Sequence, residues 1–155
     1  MPSFTVPRDT LNKPTFAGNP PDGNYTALVT DAMVRDSQKS DWRAVSLTLE
    51  AFQTPEGASE VQNGTGMIDL TNVKRNFSIT AEGSNANLRF DISAEQVAKT
   101  QAALGLGNDA GDVEVAWETA DDLVEQFRPG FGTRVGVYMK KKGEYQEVTS
   151  VYPIG

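Results

Sequence analysis

The sequence predicts a mainly β protein: an OB-fold-like, five-stranded Greek-key barrel with one helix between strands three and four and a short second helix. Three observations carry that expectation. The 155 residues include 14 Gly and 8 Pro but only 38% hydrophobic residues, which favours short strands and turns over a helical bundle. Segments of period-two alternation recur along the chain. One helical segment interrupts them, after the third and before the fourth.

Taken in order, residues 1–24 hold Pro2, Pro7, Pro14, Pro20 and Pro21 and show no periodicity. They read as an extended, Pro-rich arm, with residues 25–155 as one domain. The stretch NYTALVTDAMV (24–34) has strand composition. In WRAVSLTLEAF (42–52), Val45, Leu47, Leu49 and Ala51 alternate with polar or small residues, the pattern of a half-buried strand. A turn-rich loop follows, and MIDLTNVKRNFSIT (67–80) reads as a longer third strand. Ser93 with Gln96 three residues on reads as a capping box, and a stripe including Val97 and Leu104 runs to a glycine stop at Gly105 or Gly107. Thr119, followed by Asp121 and Asp122, caps a second short helix that Arg128-Pro129-Gly130 closes. Residues 131–141 and 144–153 form a final hairpin.

Composition narrows the chemistry. There is no Cys and no His, so thiolate chemistry, His-activated nucleophiles and the commonest transition-metal ligand are excluded. No Asp/Glu pair stands out among 21 acidic residues. No enzyme, cofactor or metal is expected. GLGNDA (105–110) resembles a dinucleotide fingerprint but follows a helix, where the fingerprint must follow a strand. No apolar run is long enough to cross a membrane, and the first residues lack a signal core, so a cytoplasmic setting is expected and the three N-x-S/T triplets read as chance.

Net charge is −7, so any nucleic-acid contact must come from a local basic patch. Arg128, Arg134, Lys140, Lys141 and Lys142 lie close together with no acid between them. Alternation sends Val135, Val137 and Met139 to one face of their strand and Arg134, Gly136, Tyr138 and Lys140 to the other. Basic residues beside an aromatic ring are what a single strand needs, for phosphates and for base stacking. The competing reading is that Tyr138 merely packs and the lysines protect a hairpin tip from edge pairing. A second candidate set is Lys74, Arg75 and Phe77 in strand three with Trp42 and Arg43 at the start of strand two; Trp42 and Phe77 compete as core residues. The stretch 109–125 holds seven acids and no base. It reads as a solvated helix start, with a partner-docking segment as the alternative.

The motifs FDISAEQVAKTQAALGLGN and TADDLVEQFRPGFGTRVGVYMKKKGEYQEVTSVYP, with PPDGNYTALVTDAMV (20–34), resemble a family of small phage and prophage single-stranded DNA-binding proteins. The resemblance spans roughly residues 20–153 and is poor in the middle. It implies an OB-like fold and a partner in single-stranded DNA, bound without sequence preference in replication or recombination inside the infected cell. Replication or recombination proteins are implied as further partners, though the chain closes on VYPIG without the acidic tip many such proteins carry. The alternative is a virion structural protein, a capsid decoration or tail component, whose arm laces subunits together. A third reading is an acidic DNA mimic that inhibits a host defence enzyme. Self-association through residues 1–24 is expected in the first two.

Overall fold

A computed structural model describes residues 3, 5, 19–64, 66–106 and 114–154. Seven strands run in the order β1 (Gly23–Asp36), β2 (Arg43–Gln53), β3 (Glu60–Asn63), β4 (Gly66–Asp69), β5 (Arg75–Glu82), β6 (Arg134–Lys142) and β7 (Tyr145–Tyr152). Helix α1 (Phe90–Ala103) and helix α2 (Ala120–Phe127) lie between β5 and β6. Five strands form one antiparallel sheet in the order β5-β2-β1-β6-β7; β3 and β4 pair separately as a hairpin. Among the described residues no helix is long and apolar enough to cross a membrane. Residues 1–18 of the expected arm lie outside the described residues apart from Ser3 and Thr5.

β1 is shared between two neighbours. Its first half pairs with β6, from Gly23↔Met139 to Leu28↔Arg134, and its second half pairs with β2, ending at Asp36↔Arg43. The β1–β2 ladder slips between Thr26 and Leu28 and again between Val29 and Asp31. On β2 the slip falls at Ala51, whose φ is +53. A bulge adds one residue and bends the strand. It also changes which residues face inward. Val45, Leu47 and Leu49 are buried as alternation predicts, but Phe52, not Ala51, continues the row. Arg134 secures the bend, its Nη1 donating to the Ala51 carbonyl at 2.9 Å and to Thr26 Oγ1 at 3.1 Å.

The inner face is completed by Tyr25, Ala27 and Val29 of β1, Phe77 and Ile79 of β5, Val135, Val137 and Met139 of β6, and Val148 and Val151 of β7. Helix α1 covers β5 and β7, and α2 covers β1 and β2. The expected closed barrel is not made. β5 and β7 come near each other, but no ladder bond joins them. The seam is left as a cleft of about 160 Å³ lined by Phe77, Ile92 of α1 and Val151.

Three element boundaries differ from the sequence reading. The single strand expected over 67–80 is broken. Asp69 accepts from the Thr71 N–H at 3.0 Å and from the Thr71 hydroxyl at 2.6 Å, holding a 3-10 turn at Leu70–Asn72 between β4 and β5; short polar side chains that bond the backbone locally compete with strand pairing. The expected loop before it contains β3, which pairs with β4 from Glu60↔Asp69 to Asn63↔Gly66. Helix α1 begins at Phe90, a turn before Ser93. Ser93 is buried inside the helix and faces the Arg89 carbonyl, so it is no cap.

Other local expectations hold. Gly105 ends α1 with φ +73: its N–H reaches the Ala102 carbonyl and the Leu106 N–H reaches that of Gln101, the paired bonds of a Schellman stop. Thr119 Oγ1 accepts from the Asp122 N–H at 3.0 Å and caps α2.

Ala51 holds a left-handed conformation that costs an L-residue roughly 1–2 kcal/mol. Ala51→Gly is expected to leave stability unchanged or raise it by up to about 1 kcal/mol. Ala51→Val, β-branched at the same φ, is expected to lower it by more than about 1 kcal/mol. Urea midpoints of the two variants measured together check both signs.

Candidate nucleic-acid interface

The β6–β7 hairpin is two strands whose inner residues are mostly apolar and whose outer residues include aromatic and charged side chains. Along the outer face of β6 lie Arg134, Gly136, Tyr138, Lys140 and Lys142. The register places Tyr145 opposite Lys142, Glu147 opposite Lys140, Ser150 opposite Tyr138 and Tyr152 opposite Gly136. From β1, Asn24 lies beside Tyr138 and Thr26 beside Gly136. Tyr138 is 37% exposed and Tyr145 79% exposed. Tyrosines and cations thus alternate over one continuous surface.

The three lysines do not act alike. Lys140 and Lys142 share the outer face with Tyr138, whereas alternation turns Lys141 toward the rim. There the Lys141 N–H donates to Asp22 Oδ2 at 2.9 Å, and Gln146 Nε2 donates to Asp22 Oδ1 at 3.1 Å. The bond from Lys141 and then that from Gln146 hold the Asp22 carboxyl below the usual carboxylate range. Gln146 also donates to the Pro20 carbonyl at 2.7 Å, so residues 20–22 are fastened to the hairpin. Asp22, Glu144 and Glu147 surround the lysines, and the tip carries mixed charge.

The second candidate set does not form one site. Phe77 is 5% exposed and lies opposite Leu47 in the core, because β5 pairs with the inward register of β2. Arg75, opposite Leu49, also turns inward, and its Nη2 donates to Gln146 Oε1 at 3.1 Å and Asn19 Oδ1 at 3.0 Å. Burial pulls its guanidinium below the ordinary value, and its Nε finds no partner among the described residues. Lys74 is exposed and pairs with Glu50 at 3.1 Å. Arg43 sits at the far end of β1, where Asp36, Glu82 and Asp121 all bind it within 3.2 Å. Asp36, then Asp121, raises its pKa. Glu82 also accepts from the Ala120 N–H at 2.6 Å, so this cluster anchors α2 to the sheet and sets three carboxylates around Arg43, where they repel a phosphate. Trp42 is half-buried beside Gly83 at that same end. Arg128 pairs with Glu125 at 2.8 Å.

Of the described acids of 109–125, three have partners, while Glu114 and Glu118 are exposed. Asp121 binds Arg43, Glu125 binds Arg128, and Asp122 accepts from the Glu118 N–H. They lie at the end of β1 remote from the lysines; Asp109 and Asp112 fall outside the described residues.

The sequence reading left Tyr145, Tyr152 and Asn24 off the face. Tyr145 carries its own signal, being in register with the exposed parity of β7. Tyr152 does not: counting by twos from Gln146 and Val148 puts it inside. A bulge between the Tyr138 and Met139 pairings flips the parity, so Val151 turns in and Tyr152 turns out. The apolar spacing of three between Val148 and Val151 is the trace of that bulge in the sequence.

The chain matches no protein-family model and no curated protein.

Phe77→Ala is expected to cost about 3–5 kcal/mol of stability, the range for a buried Phe, with chemical denaturation as the readout. A binding role would lower affinity with the fold intact. For Asp22 the folded pKa is depressed, so its contribution is present above the unfolded carboxylate pKa and lost as pH falls through the folded one. Asp22→Asn is therefore expected to lower the urea midpoint at neutral pH and to flatten its decline in acid, checked by midpoints across the pH range below the ordinary carboxylate value.

Proposed function

We propose that this chain is a non-enzymatic, sequence-independent single-stranded DNA-binding protein of phage type, built on an open OB-like barrel. The strand order β5-β2-β1-β6-β7 with α1 spanning the seam supports the OB-like reading. The observation that carries the function is the outer face of β6–β7, where Tyr138 stands exposed between Arg134 and Lys140, with Lys142 and Tyr145 beyond. Bases stack on the rings and phosphates pass the ammonium groups. On this reading, and on the resemblance to phage proteins, the chain protects strands in replication or recombination in the cytoplasm of an infected host. Arg134, bound to the Ala51 carbonyl, holds the strand bend and contributes charge from a fixed position.

The test is titration of labelled oligo-dT and of matched duplex at several salt concentrations. Oligo-dT is expected to bind more tightly, and its affinity to fall steeply with salt as counterions are released. Lys140→Gln with Lys142→Gln should lower the salt slope by about 0.7 per lost contact. Lys141→Gln, on the rim, should change the slope less. Tyr138→Ala should cost roughly 1–3 kcal/mol with the slope preserved, because stacking releases no counterion. An oligo-dT titration flat at low salt refutes the proposal.

A further inference from the structure

Tyr152 lies over Gly136, its cross-strand neighbour. A Cβ added at Gly136 would fall 2.2 Å from Tyr152 Cε2, 2.6 Å from Cδ2 and 2.7 Å from Cζ. Near-equal distances to the two atoms flanking Cε2, scarcely longer than to Cε2 itself, put that point over the ring's face and not at its edge. The ring therefore lies flat on the strand with one face against the Gly136 backbone. Its hydroxyl donates to Asn24 Oδ1 at 2.7 Å, which fixes the ring from its far end. Burial against the strand pushes the phenol pKa up, so the ring stays neutral and the hydroxyl remains a donor. Tyr138 stands two residues along the same strand, about 7 Å away at strand rise, on the same face of the sheet.

Resting on the DNA-binding reading above, we infer that Tyr152 is a second base-stacking subsite, held flat and oriented in advance by Gly136 and Asn24. A nucleobase is the ligand because the outer surface of the ring is a π-face parallel to the sheet, and stacking on it tolerates any base. Preorganisation matters here: a ring already fixed loses little side-chain freedom when a base arrives. Gly136 is the condition for this geometry, since any side chain there would lift the ring. The alternative role is that Tyr152 only shields an in-strand glycine, as aromatic residues do across a sheet.

Two measurements on the full chain separate the roles. The first is oligo-dT affinity of the parent, Tyr152→Phe and Tyr152→Leu, with each thermal midpoint recorded. Leucine still covers the glycine but has no π-face. Tyr152→Leu is expected to weaken binding by about tenfold to a hundredfold at an unchanged salt slope, while Tyr152→Phe stays much closer to the parent. The second uses the parent alone, so a folding defect cannot confuse it: photocrosslinking to oligo-dT carrying bromodeoxyuridine, with peptide mapping. An adduct on Tyr152 is expected. If the parent binds oligo-dT but Tyr152→Leu binds equally well, or adducts form on Tyr138 or Tyr145 and never on Tyr152, the second subsite is refuted and the proposed function stands. If the parent binds no oligo-dT, the proposed function itself fails, and the subsite with it.

Discussion

The sheet depends on β1 serving two partners at once. A strand of 14 residues that pairs with β6 over its first half and β2 over its second cannot stay straight. It turns at the register slips between Thr26 and Asp31, opposite the left-handed Ala51. That bend curls the five strands around one core, so Phe52, Phe77 and Met139 face the same interior. Arg134 bridges the bend to β6, which makes the hairpin's first basic residue part of the frame that carries the candidate interface.

Curling stops short of closure. β5 and β7 meet through Arg75 and Gln146 at one end and through the side chains around Phe77 and Val151 further along. An inward arginine without a carboxylate within ion-pair reach among the described residues is costly to bury, and it is tolerated because Asn19, Gln146 and the Lys74 carbonyl all accept from it. The same amide of Gln146 reaches Pro20 and Asp22. The segment before β1, the start of β5 and the hairpin thus share one polar network, and the outer face of β6–β7 is held from behind.

Charge follows the same geometry. In a chain of net charge −7, several of the described cations are engaged away from the hairpin. Arg43, Arg89 and Arg128 each pair with acids away from the hairpin, while Lys140 and Lys142 stay on the exposed face of β6. Exposed pairs of this kind stabilise little individually. What they do is neutralise those arginines where they stand.

Local chemistry was legible in the sequence. The alternation of β6, the Thr119 cap, the Gly105 stop and the hairpin turn depend on near neighbours, and each was read correctly from them. So were Tyr138 and Lys140 as members of one outward face. Among the candidate site residues, what failed were features decided by distant partners. Phe77 and Arg75 alternate like binding residues in a strand, but only pairing with Leu47 and Leu49 reveals that their side points inward. Arg43 reads as an available cation until Asp36, Glu82 and Asp121, drawn from three other segments, surround it. Tyr152 has the wrong parity until a bulge in β7 reverses it. Period-two alternation determines which residues share a face. Which face meets the core, and where a bulge exchanges the two, is set by cross-strand register, and register exists only once the strands have met.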